Sequence, residues 1–335
     1  MMNQMNRRLL LRQILILLLV VALFLGFNGS LYVLLTRRLG NNFSDSAQPK
    51  MVDVGRYLPF EEGSDLPKID TDFRLDGDLP VLDGAAALVP VYAAVINAAY
   101  PEGSVTYEGG AFSDDNYYGE NFAEGSAMRY RNTVRGYKAI VDGDADILFC
   151  AAPSEDQKAY AAAQGVELVY VPIGLEAFVF FVSGQNPVEG LTTAQVRDIY
   201  SGKINNWKAV GGPARPINPV TRLKGSGSQS VMDAFMGDRA IGGKSPLALF
   251  GASLGYSFRF YLMDMVGDAD VKVLSLNGVY PDRETIRSGQ YPIVATFYAI
   301  YRADDPNENV KKLIDWILSP EGQSLIEAVG YVPLG

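Results

Sequence analysis

The stretch Thr221–Phe235, TRLKGSGSQSVMDAF, sets glycines and serines in alternation between an arginine and an apolar helical pattern. Glycine-rich turns that open a helix gather unpaired backbone N–H groups and the positive end of the helix dipole at one point, which suits an anion. A nucleotide loop of the G-x-x-x-x-G-K-[ST] kind is excluded, because no lysine follows Gly227. A dinucleotide fingerprint lacks its third glycine, where Ser230 stands. A nucleophile elbow needs G-x-S-x-G and a histidine, and neither is present. What is left is Ser226 and Ser228 at the start of a helix with Val231, Met232, Phe235 and Met236 on its apolar face. Arg222 is near enough in sequence to add a charge-assisted contact to an oxyanion. An ordinary N-capped helix after a flexible turn, with Arg222 solvated, fits this stretch equally well.

Composition narrows the choice. The chain has 335 residues, 48% of them hydrophobic and 20% charged, enough for two lobes with substantial cores. A net charge of -9 argues against a nucleic-acid partner but leaves room for a locally positive anion site. With no histidine, Ser-His-Asp and Cys-His catalysis and every His-containing metal site are excluded. The single cysteine, Cys150 in the apolar run DILFCAAP, permits no internal disulfide or Cys-cluster metal site and reads as a small buried hydrophobe.

From Ile14 to Leu35 the N-terminal region carries no charge, which at helical rise spans a bilayer core of about 30 Å. No A-x-A cleavage site follows, and Arg7, Arg8 and Arg12 favour an N-inside orientation. Residues 1–38 are therefore expected to be a cytoplasmic stub with an uncleaved transmembrane anchor, the alternative being a signal segment. The bulk of the chain is expected outside the cytoplasm. Residues 39–78, acidic in EEGSDLPKIDTDFRLDGD, are expected to be a solvated linker.

From Leu79 onward apolar runs alternate with helical patterns, the signature of an α/β domain over 79–335. PVYAAVINAAYP, TVRGYKAIVDGDAD, TTAQVRDIYSG, NVKKLIDWILS and PEGQSLIEAVG read as helices. ILFCAA, VELVYVPI, EAFVFFVS, LGYSFRFYL and YPIVATFYAIYR read as strands. EAFVFFVS and IVATFYAIYR are placed to be paired connections between two lobes. One lobe would then comprise about 79–178 and 288–335 and the other about 179–287, with a small ligand in the cleft between them. In GYSFRFY, Tyr256 and Arg259 fit a half-buried strand better than ligand contact. Tyr107, Tyr117 and Tyr118 in TYEGGAFSDDNYYGEN are expected on a surface loop.

Taken in order, LTTAQVRDIYSGKINNWKAVGG, then GSGSQS after an arginine, GYSFRFY, and VKKLIDWILSPEGQSLIEAVGYVPL resemble the phosphate-binding subunit of Pst-type phosphate ABC importers, particularly its Gram-positive forms. The resemblance runs from about Leu79 to the C-terminus. It implies a two-lobed periplasmic-binding-protein fold of the type with two crossing strands (type II), and a phosphate held in the cleft by hydrogen bonds without metal or cofactor. Residue by residue, it implies ligand contacts at Arg222, Ser226, Gly227 and Ser228, at Thr133 in YRNTVRGYKAI, and at Ala86 and Ala87 in DGAAALVPVY. The last two offer only backbone N–H groups.

The chain departs from that pattern in places. Ala151 stands where a carboxylate would accept a proton from bound phosphate, and Lys224 where an acid often pairs with the arginine. An acidic acceptor suits a protonated ligand and repels sulfate, so its loss weakens the chemical basis for choosing phosphate. Ser154, Glu155 and Asp156 are neighbouring candidates for a substitute acceptor. Lys224 reads as an exposed lysine at a turn. The expected function is a membrane-anchored, monomeric, extracytoplasmic receptor delivering phosphate to an ABC permease. A degenerate member that modulates a membrane partner, or a receptor for another oxyanion such as sulfate, is the alternative. A phosphoryl-transfer enzyme would need a metal cluster or an activated nucleophile, and no such pattern is present.

Overall fold

The computed structural model describes residues 14–21, 23–27, 30, 54–109, 122–242, 251–267 and 270–334. The chain divides into a short unit, Met1–Ser46, and the main unit, Ala47–Gly335. In the short unit, residues 14–21 and 23–27 are helical and their large apolar side chains are exposed. No helix among the described residues is long and apolar enough to cross a membrane. The span expected from Ile14 to Leu35 extends past them, since 22, 28–29 and 31–35 lie outside the described residues.

The main unit is built on mixed sheets that share one long strand. In chain order its strands are β1 (Leu82–Gly84), β2 (Ile147–Ala151), β3 (Leu168–Ser183), β4 (Gly190–Leu191), β5 (Ile217–Pro219), β6 (Ala252–Phe258), β7 (Val271–Val273), β8 (Ser275–Leu276) and β9 (Val294–Arg302). The principal order is β1-β2-β9-β3-β6-β5, with β7 also on β3 and β4 paired to β8 apart. β3 unites two runs that the sequence suggests as separate strands. Its first part pairs antiparallel with β9 from Leu168↔Arg302 to Ala177↔Val294, and its second with β6 and β7 from Phe178 to Ser183. Pro172 and Gly174, the apparent breakers between the runs, are absorbed as a register irregularity within the ladder. β3 and β9 are thus the pair expected to connect the halves of an α/β domain.

The helices are α1 (Val89–Ala99), α2 (Asn132–Asp142), α3 (Glu155–Ala163), α4 (Thr193–Tyr200), α5 (Gly227–Met236), α6 (Arg283–Arg287), α7 (Glu308–Leu318) and α8 (Pro320–Val329). In α1, VPVYAAVINAA, every residue but Asn97 is buried, as an apolar circumference requires. α2 ends at Gly143, whose φ of 84° supplies the left-handed cap. Its inner face joins Ala85, Leu148, Cys150 and Ile300 in one apolar cluster. Cys150 is fully buried, and burial pushes its thiol up to about 12, so it packs as the sequence suggests. On the other half, the rings of Phe178, Phe180, Tyr200, Phe235, Tyr256 and Phe258 interlock and fix α4 and α5 on β3 and β6.

Two expectations are corrected. The strand expected through LGYSFRFYL stops at Phe258, and Tyr261–Val266 forms a short π-helical turn, so Arg259 lies outside the sheet. The linker expected over 39–78 is packed on the domain through its large apolar residues where it is described, with its acidic side chains exposed; 39–53 lie outside the described residues. From Val54 the chain is a strap laid on α1, α7 and α8. Phe60 N–H donates to Asn97 Oδ1 at 2.8 Å, Thr71 Oγ1 to Glu321 Oε2 at 2.8 Å, and Leu75 N–H to Ala99 O at 2.7 Å. Phe73 stacks on Trp316 with centroids 5.1 Å apart, while Tyr57, Leu66 and Leu75 are buried. An irregular segment needs no apolar period: each large residue reaches its own pocket, which is why acidic composition mislabels it.

Candidate functional site

β1, β2 and α2 present one wall. β1 feeds through Ala85 into a 3-10 turn, Ala86–Leu88, and Ala85 N–H donates to Phe149 O of β2 at 2.8 Å. Ala86 and Ala87 are buried, and the Tyr331 hydroxyl donates to Ala87 O. β2 ends at Ala151, also buried. Thr133 lies in the first turn of α2 and is 4% exposed, yet its hydroxyl makes no hydrogen bond among the described residues. Beneath this wall the carboxylate of Asp83 accepts from Arg131 N–H at 2.9 Å and pairs with Arg131 Nη1 at 3.1 Å, tying the start of α2 to β1. Burial raises Asp83 to about 6 against the pull of Arg131.

α5 presents the other wall. Ser226 is its N-cap, the hydroxyl accepting from Gln229 N–H at 3.3 Å. Gly227 and Ser228 follow, and their N–H groups are among the first of the helix, beyond reach of any intrahelical acceptor. Arg222 is held through its backbone, its N–H donating to Gln229 Oε1 at 2.9 Å and to Tyr256 Oη at 3.0 Å. Tyr256 in turn donates to Gln229 Oε1 at 2.5 Å. The half-buried guanidinium of Arg222 makes no hydrogen bond or ion pair among the described residues. Burial raises Tyr256 to about 12 and also raises Tyr261, and in both the charge of Arg222 opposes the rise. Tyr256 is therefore core, as read from sequence, and at the same time the support of Arg222.

The two walls meet. A Cβ placed on Gly227 would stand 3.6 Å from Thr133 Oγ1 and 3.7 Å from Ala151 Cβ, and one on Gly225 would stand 3.5 Å from Val134 Cγ2. Gln157 Nε2 of α3 crosses to Gly225 O at 3.1 Å, and Lys224 Nζ pairs with Asp156 Oδ2 at 2.6 Å. Lys224 is exposed, as the sequence suggests, and the pairing raises its ammonium pKa. Of the candidate substitute acceptors, Asp156 is thus committed to Lys224, Ser154 caps α3, and Glu155 pairs with Lys158 at the surface. Neither Glu155 nor Asp156 is thus left to take the place of an acceptor at Ala151. Among the described residues, no group of three or more acidic or thiol side chains could hold a metal ion.

The arrangement brings Thr133, Ala151 and Gly227 into contact range, with Ser226 and Ser228 flanking Gly227 and Ala86 beside the start of α2. A guanidinium, hydroxyls and helix-start N–H groups are the donor types that can solvate an oxyanion in place of water. Sequence reasoning missed Gln157, Asn132 and Gln229, polar residues whose role depends on contacts between distant segments. It also missed Asp83, whose signal was an acid inside the apolar run PVLDGAA. Arg259 pairs with Asp264 at 3.9 Å. Tyr107 packs on Phe122, whereas Tyr117 and Tyr118 lie outside the described residues.

Comparison with known proteins bears on the fold and the family. The sequence profile of the PBP superfamily domain matches residues 123–321. The phosphate-binding protein PstS of Borreliella burgdorferi is 28% identical over 176 residues, 47% of this chain and 63% of its own. That of Bacillus subtilis is 26% identical over 208 residues, 58% of this chain and 65% of its own. The match thus spans just under two thirds of the length of these two relatives. A phosphate-bound putative phosphate ABC transporter substrate-binding protein from Clostridium perfringens superposes with a TM-score of 0.57 at 22% identity, covering 77% of this chain and all of the other, which establishes the two-lobed α/β fold.

Proposed function

We propose that this chain, which belongs to the PBP superfamily, is an extracytoplasmic receptor that captures inorganic phosphate between its lobes and hands it to an ABC permease. The observation that carries the reading is the meeting of Thr133 with the start of α5 at Gly227, with the Thr133 hydroxyl and the Arg222 guanidinium both left without hydrogen-bond partners among the described residues. The lobes are taken as about 79–178 with 288–335, and about 179–287, joined by β3 and β9. Arg222, Ser226, Gly227 and Ser228 supply one half of the clamp; Thr133, Ala86 and Ala87 supply the other. Charge-assisted bonds in a site closed from water carry most of the binding free energy. The uncharged run Ile14–Leu35 supports a single-pass anchor holding a monomeric receptor at the outer membrane face. The relatives' names supply the ligand, and the name of the Clostridium perfringens neighbour supplies the ABC transporter.

Titration calorimetry tests the assignment. The expected result is phosphate binding that weakens at least about tenfold in Arg222→Ala, a loss matched to one charge-assisted contact. Unchanged affinity in that variant sinks the site. One observation favours a second reading, a receptor with little preference between phosphate and sulfate. Ala151 faces Gly227 where an acceptor would distinguish a protonated ligand, and Asp156 is spent on Lys224. Equal affinity for the two anions would select it.

A further inference from the structure

Asn132 is the residue on which the anion-facing wall turns. It precedes Thr133 at the start of α2 with a φ of 61°, one of three described non-glycine residues in the left-handed region. Asparagine tolerates that conformation better than other side chains do. The backbone there is pinned from behind by Arg131, whose N–H donates to the buried Asp83. In this position Asn132 Oδ1 accepts from Thr133 N–H at 2.8 Å and, at 3.4 Å, from Ala86 N–H. These two donors open α2 and the 3-10 turn after β1, and both sit in the wall that Gly227 approaches. Among the described residues no backbone acceptor serves them, so these N–H groups depend on this side chain for a partner.

We infer that Asn132 is an internal stand-in for the anion, a residue whose side-chain carbonyl occupies the point where a ligand oxygen binds and which sets affinity by competing for the same N–H donors. The inference rests on the oxyanion-receptor reading of the site. Binding is then an exchange: the ligand oxygen replaces Oδ1 at Ala86 and Thr133, and the amide swings aside. The exchange keeps the empty wall satisfied, and it lowers affinity by the strength of the bonds that must be surrendered. A neutral amide competes without repelling the anion. A carboxylate at the same atom would do both.

Titration calorimetry on the full chain, with inorganic phosphate and then sulfate as probes, tests this with two variants. Asn132→Gly keeps the left-handed backbone at no steric cost and removes the competitor. The expected result is phosphate binding about two- to tenfold tighter than wild type, the range for losing one or two competing hydrogen bonds, together with a lower melting temperature. A residue that only capped α2 would lose stability without any gain in affinity. Asn132→Asp is expected to bind phosphate at least about tenfold more weakly. Tighter binding by the glycine variant supports the inference even if the wild-type chain binds too weakly to measure. If wild type binds and the glycine variant binds no tighter, or the aspartate variant binds equally well, the inference falls while the receptor reading stands. If neither the wild type nor the glycine variant binds phosphate or sulfate, both fall.

Discussion

Gly227→Ala separates binding from stability, because the two should move in opposite directions. Gly227 is the first residue of α5 and its φ lies outside the left-handed region, so alanine adopts the same backbone. Replacing glycine at such a position stabilises by about 0.4–1 kcal/mol through the unfolded chain. The new methyl would lie 3.6 Å from Thr133 Oγ1, 3.7 Å from Ala151 Cβ and 3.7 Å from Phe258 Cε2, all ordinary contact distances. Nothing must shift to admit it. The net expectation is a fold more stable by ~1 kcal/mol, or about 2–4 °C in melting temperature. For the ligand the same methyl is an obstacle. An anion oxygen must come within about 2.7–3.2 Å of its N–H and hydroxyl donors, and the methyl projects from the helix start toward Thr133, the hydroxyl it must share. Losing one charge-assisted bond costs about 1.5–3 kcal/mol, so phosphate affinity should fall about tenfold or more. Calorimetric titration and thermal unfolding of one sample read both effects. A variant that melts higher but binds phosphate as tightly as wild type would refute the placement of the ligand at this junction.

Two other outcomes follow from buried or missing carboxylates. Glu176, buried on β3 where the strand passes from one sheet to the next, accepts from Ala177 N–H at 2.7 Å and Phe260 N–H at 3.2 Å. Burial raises it from 4.5 to about 7, against the pull of Arg259. Because the folded state holds the proton more tightly, its contribution is greatest below the unfolded pKa and is lost as pH climbs toward 7. At about 1.4 kcal/mol per pH unit the loss is ~3 kcal/mol. Urea unfolding should therefore show stability falling from pH 5 to 8, with Asp83 adding in the same direction, and Glu176→Gln should remove ~2–3 kcal/mol of that fall; an unchanged slope would exclude the group. Ala151→Asp should restore an acceptor beside Gly227, so the ratio of phosphate to sulfate affinity should rise at least about tenfold. An unchanged ratio would mean that position 151 does not face the ligand.

The α/β class and the two long strands were legible because they rest on apolar runs, and the apolar character of such runs is local information. EAFVFFVS and IVATFYAIYR announce themselves by composition; the first is a buried part of β3, and the second lies in β9, where buried and half-buried positions mostly alternate. The single strand made of VELVYVPI and EAFVFFVS was not legible, since Pro172 and Gly174 are ordinary breakers unless a partner strand holds the ladder across them. The strap escaped for the converse reason. Its acids are solvated as composition says, but Phe73 and Leu75 find Trp316 and the end of α1 only through tertiary contact.

The same distinction explains the site. Serines and glycines before a helix advertise N–H groups, so the stretch itself suggests the proposed contacts at Ser226–Ser228, although an ordinary N-cap fits it equally well. The facing half consists of backbone donors at Ala86 and Thr133, and a donor's direction belongs to the fold rather than to the residue type. Ala86 bears no polar side chain to betray it, and Asn132 reveals its part only because a left-handed φ turns its carbonyl onto both donors. A receptor site of the proposed kind would carry its charge in one lobe, at Arg222, and its geometry in the other. Substitutions in the first lobe should therefore change how strongly any oxyanion is held. Substitutions at Asn132 and Ala151 should change the competition the ligand must win and the protonation state it may carry. That division places selectivity on the wall with the fewest polar side chains, where residue types alone give the least warning of it.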